Sequence, residues 1–72
     1  MTKTTTDLKD IVRLGGGISV DASTKTTTDL KDLARLANAS EANLVIRNAD
    51  AKTTTDLKDI ARLAPGKVIF EI

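Results

Sequence analysis

The sequence predicts an α/β fold in which three helix–strand units build a small three-stranded parallel sheet. The strands are ordered 1-2-3 and the helices cover one face, in an open, solenoid-like array. The block Lys-Thr-Thr-Thr-Asp-Leu-Lys-Asp occurs three times, at Lys3 to Asp10, Lys25 to Asp32 and Lys52 to Asp59. Each copy runs on into an aliphatic residue, Val or Ala, then Arg-Leu, and each is followed by a turn signal and a short β-prone segment. Strict alternation of helix and strand argues for parallel strands joined by right-handed crossovers.

The first unit reads as a helix with both ends marked. Thr4 can accept from the backbone three residues on, where Asp7 completes a capping-box arrangement and lies near the positive end of the helix dipole. Thr26 with Asp29 and Thr53 with Asp56 repeat the device. Consecutive threonines suit the cap and first turn, because β-branching restricts their rotamers in a helix interior. At about 100° per residue, Leu8, Ile11, Val12 and Leu14 fall on one broad apolar arc, opposite Lys9, Asp10 and Arg13. The residue at the middle of that arc is small every time: Gly15, Ala37 or Ala64.

Helix stops follow. Gly15-Gly16-Gly17 ends the first helix, with Gly15 left-handed; Asn38 is expected to do the same for the second, and Pro65-Gly66 breaks the third. The triple glycine follows a helix and precedes a strand, the reverse order of a phosphate-binding loop. The blocks recur after 22 and then 27 residues. Most of that difference falls between helix and strand, so Ala39-Ser40-Glu41-Ala42 is expected to be a loop insertion.

The strand segments are Ile18 to Ala22, Leu44 to Asn48 and Val68 to Ile72. Their alternation assigns Ile18, Val20, Leu44, Ile46, Val68, Phe70 and Ile72 to the inner face. Ser19, Asp21, Val45, Arg47, Ile69 and Glu71 fall on the outer face. A doubly wound sheet would require strands apolar on both faces, and near-identical helices imply near-identical surroundings, which favours helices on one face only. Asp21, Arg47 and Glu71 then occupy matching outward positions, where Arg47 can sit between two carboxylates as a solvated charge ladder.

In period and alternation the whole chain resembles leucine-rich repeats, α/β arrays with one strand and one helix per turn. Their signature is not intact. Leu33-Ala34-Arg35-Leu36 supplies its first spacing on a helix, and Leu44-x-Ile46-x-Asn48 supplies the next with Asn one residue early. The resemblance implies general architecture and carries no ligand-binding role.

Composition bounds function more than it specifies it. The 72 residues make one domain, with units at about 3–22, 25–49 and 52–72. A domain of this size buries only about 60% of the surface its unfolded chain exposes. There is no Cys or His, which removes disulfides, the usual transition-metal ligands and the common nucleophile–base pairs. A net charge of +1 and a single aromatic, Phe70, make no case for nucleic acid or an anionic membrane. No apolar stretch reads as a membrane span or an export signal, so a soluble, cytoplasmic protein is expected. Asn38-Ala39-Ser40 matches a glycosylation acceptor, expected to be unused without such a signal.

The resulting expectation is a non-catalytic structural or self-assembling module with no cofactor or metal. Solenoid ends need polar caps, and both terminal units carry the same apolar helix face as the middle one. Strand three is expected to be a bare edge, and Val45, Ile69, Phe70 and Ile72 are the candidate contact residues for a homo-oligomer or a partner protein. A second candidate is anion, phosphate or nucleotide binding where the helix N-termini gather, through Lys3, Thr4, Lys25, Thr26, Lys52 and Thr53. Asp7, Asp29 and Asp56 oppose it by repulsion. The blocks are identical while the intervening segments differ, as after recent duplication or construction from a consensus unit.

Overall fold

The computed structural model describes residues 4–72. Helix α1 (Thr5–Arg13), strand β1 (Ile18–Asp21), helix α2 (Thr27–Ser40), strand β2 (Leu44–Arg47), helix α3 (Thr54–Leu63) and strand β3 (Val68–Phe70) follow in strict alternation. A 3₁₀ turn links strand to helix at Ala22–Thr24 and at Ala49–Ala51. The strands pair in parallel in the order β1-β2-β3, with Ile18, Leu44 and Val68 in one row and Val20, Ile46 and Phe70 in another. α2 packs between α1 and α3.

The helix starts follow from local chemistry. The N–H groups of Asp7, Asp29 and Asp56 each donate to the hydroxyl of the threonine three residues earlier. Only α1 has both halves of the box, with Thr4 N–H donating to Asp7 Oδ2. In the third unit the Asp56 carboxylate instead accepts from Thr27 Oγ1 on α2, at 3.3 Å.

The core lies between the helices and the inner sheet face. Leu30, Leu33, Leu44, Ile46, Ile60 and Val12 are its largest fully buried side chains, each stabilising by about 1.5–3 kcal/mol. Of the three small positions, Ala37 and Ala64 are buried, whereas Gly15 lies past the end of α1 and is exposed. On the opposite face Ser19, Arg47 and Ile69 are exposed and Val45 is half-buried. Helices therefore cover one face only.

Five expectations need correction. Asn38 does not stop the second helix. α2 continues to Ser40, and Glu41 takes the left-handed conformation at φ 62°, with Ala42 N–H closing onto Ala37 O. The insertion is thus largely an added helical turn, held because Ser40 Oγ donates to Val12 O at 2.6 Å, with Leu36 O at 2.8 Å. Ile72 lies past β3 and is exposed rather than inward. Ile11 and Leu14 do not share the buried arc with Val12: they are 40% and 88% exposed. The carboxylate–arginine ladder does not form either, as described below.

The helix stops themselves are local. Gly15 takes φ 96°, its N–H bonds Val12 O, and Gly16 N–H bonds Ile11 O, which together make a Schellman closure. A Cβ on Gly16 would come within 2.8 Å of the Ile11 side chain. Gly66, at φ 75°, serves the turn after α3.

Candidate interaction surface

Three surfaces are available to a partner: the row of helix starts, the open sheet face and the outer flanks of the helix layer. At the helix starts, Thr4, Thr26 and Thr53 are exposed and cap their own helices. Lys25 is half-buried, and its ammonium donates to Thr5 Oγ1 on α1 at 3.4 Å. Lys52 is also half-buried. Lys3 lies outside the described residues.

On the open face the strand register does place Asp21 opposite Arg47. The side chains nevertheless find other partners. Arg47 Nε donates to Ser19 Oγ at 2.9 Å. Asp21 Oδ1 accepts from both the hydroxyl and the N–H of Ser23, at 2.6 and 2.9 Å, capping the 3₁₀ turn. Glu71 contributes its backbone, bonding Ile46 O and Ala49 N–H. Local capping wins because a carboxylate two residues from a free N–H reaches it at little entropic cost, whereas an exposed ion pair across strands gains little.

The Ser23 hydroxyl, the Asn48 side chain and the Ser23 N–H hold the Asp21 carboxyl at about 2, below its ordinary 3.8, with the Arg47 charge adding slightly. Ser19, Asp21, Lys25 and Arg47, with Leu8 and Val20, line an open recess of ≈ 210 Å³. Of the candidate contact residues, Ile69 is 56% exposed, Val45 is half-buried, and Phe70 is half-buried against the core.

The helix layer carries a pattern that reading single helices does not reveal. Lys9 Nζ on α1 lies 3.3 Å from Asp32 Oδ2 on α2, and Lys31 Nζ on α2 lies 3.8 Å from Asp59 Oδ2 on α3. Each lysine thus reaches the aspartate one position later in the next block. Within each helix an arginine pairs with the same aspartate: Arg13 with Asp10, Arg35 with Asp32 and Arg62 with Asp59, at 2.7 to 2.9 Å. The signal in the sequence is the invariant Lys-Asp step in blocks destined for neighbouring parallel helices.

Asp32 and Leu36 lie on the flank of α2 that faces Lys9 and Arg13 of α1, and Leu33, next to Asp32, is fully buried. Asp10, Ile11 and Leu14 are the matching flank of α1, and among the described residues no helix covers it. At the other end, the equivalents of Lys9 and Val12 are Lys58, which is exposed, and Ala61, which is half-buried.

Among the described residues no group of three or more His, Cys, Asp or Glu could hold a metal ion, and no helix is long and apolar enough to cross a membrane. Comparison with protein-family models, curated proteins and solved structures finds no match for the chain.

Proposed function

We propose that the protein is a non-catalytic structural module that associates with further copies of itself. The observation that carries this reading is the apolar surface left open on so small a body. Leu14 is 88% exposed and Ile11 40% on the outer flank of α1, Ile69 is 56% exposed on the open sheet face, and the β3 edge has no strand on its outer side among the described residues. Exposed strand edges and apolar side chains gain most when a second chain removes them from water. A fold of this size has little core to spare, so association adds substantially to its stability.

The test is the solution mass measured by light scattering behind a sizing column across a wide concentration range. A discrete or growing oligomer is expected, accompanied by a melting temperature that rises with protein concentration. A constant monomer mass to millimolar concentration would overturn the reading.

A further inference from the structure

We infer that copies of the chain join head to tail, with the outer flank of α3 in one copy packed on the outer flank of α1 in the next. This rests on the proposed self-association and names its surface. The two existing helix contacts supply the pattern. In each, a lysine from the earlier helix reaches an aspartate on the later one, which also holds its own arginine: Lys9 to Asp32 beside Arg35, then Lys31 to Asp59 beside Arg62.

That pattern is left incomplete at both ends of the layer, in complementary ways. Asp10 pairs with Arg13 at 2.7 Å and remains 60% exposed, whereas Asp32 and Asp59, which also receive a lysine, are 36% and 38% exposed. Lys58 makes no ion pair among the described residues and is exposed, whereas Lys9 and Lys31 are 28% and 31% exposed. One end therefore offers the cation and the other the carboxylate, at block positions that already pair twice.

The apolar side chains tell the same story. Ile11 and Leu14 stand where Leu33 and Leu36 stand on α2, and where Ile60 and Leu63 stand on α3. Leu33 and Ile60, each behind a preceding helix, are fully buried, and Leu36 and Leu63 are partly buried; Ile11 is 40% and Leu14 88% exposed. A second copy's α3 set on this flank covers both and places Lys58 against Asp10. The same stacking brings β3 alongside β1 of the next copy, the two edge strands among the described residues, with Val68 and Ile18 in one row, so that the parallel sheet continues. Because the two surfaces differ, the contact is heterologous and propagates into a ring or a filament.

Charge exchange tests this surface. Lys58→Glu alone sets two carboxylates against each other, and Asp10→Lys alone sets two ammonium groups; each is expected to weaken association by about tenfold or more. An equimolar mixture restores it, because Glu on the α3 flank of one variant meets Lys on the α1 flank of the other, and the reverse contact is native. Leu14→Asp, at a position 88% exposed in the single chain, is expected to weaken association on the order of thirtyfold. Circular dichroism checks that all three variants keep the native fold. If the single variants associate as tightly as the native chain, this surface is wrong although self-association stands. Variants that are weakened but not rescued by mixing would overturn the Lys58–Asp10 pairing. If the native chain stays monomeric at millimolar concentration, the functional reading and this inference fall together.

Discussion

Lys9 on α1 and Asp32 on α2 meet at 3.3 Å across the helix layer, with Arg35 held on the same carboxylate at 2.9 Å. Asp32 thus pairs with one cation from its own helix and one from the helix before it. Both contacts are about a third exposed or more, so each contributes only a few tenths of a kcal/mol. Asp32→Asn is expected to lower stability by about 0.5–1 kcal/mol at low ionic strength. The deficit should shrink in about 1 M salt, where the Debye length falls to about 3 Å. Urea midpoints of both proteins at the two salt concentrations check this; a salt-independent deficit would mean packing, not charge, is lost.

Equivalent leucines should differ sharply in what they contribute. Leu33 is fully buried in the core, and Leu33→Ala is expected to cost about 2–5 kcal/mol, enough to unfold much of a protein this small. Leu14→Ala removes a side chain that is 88% exposed and should change monomer stability by less than about 0.5 kcal/mol. Denaturation at low protein concentration, where association does not contribute, compares the two.

Glu41 holds a left-handed backbone at φ 62° without being glycine. Relief of that strain exceeds the extra chain entropy, so Glu41→Gly is expected to stabilise by about 0.5–1 kcal/mol and raise Tm by about 4 °C. Gly15→Ala imposes the opposite change at φ 96° and should destabilise by about 1–2 kcal/mol. Thermal melts followed by circular dichroism read both; an unchanged Tm for each would show that these turns relax without strain.

Acid should expose the Asp21 cap. Its carboxyl titrates at about 2 when folded and near 3.8 when unfolded, so the folded state favours the charged form. The contribution is complete above the unfolded value and is lost as pH falls through the window between 3.8 and about 2. Asp21→Asn removes that titration, so its stability should fall less steeply than that of the native chain over this range. Parallel slopes in urea titrations at successive pH values would dismiss the cap as a source of acid sensitivity.

Much of the architecture was legible because its signals are short-range. Threonine caps, the glycine closure after α1 and the alternation of Val20, Leu44 and Ile46 each depend on neighbours a few residues away. Two of the misreadings turned on a partner distant in the chain. The extra turn of α2 is tied by Ser40 to Val12, 28 positions away. Arg47 turned to Ser19 on the neighbouring strand instead of to the carboxylates aligned with it. No local pattern distinguishes those choices, because the competing bonds differ by less than the entropy of holding a long side chain in place.

By itself the sequence determined the three capped helices, the three parallel strands and their order. Caps, periodicity and crossover handedness act within a unit or between consecutive ones. Only the tertiary structure decided which copies of the same residue are covered: Leu33 and Ile60 are fully buried, while Ile11 is 40% exposed. Burial is a property of neighbours, and the first helix has a neighbour on one side only among the described residues. Identical blocks therefore acquire different surfaces from their place in the stack.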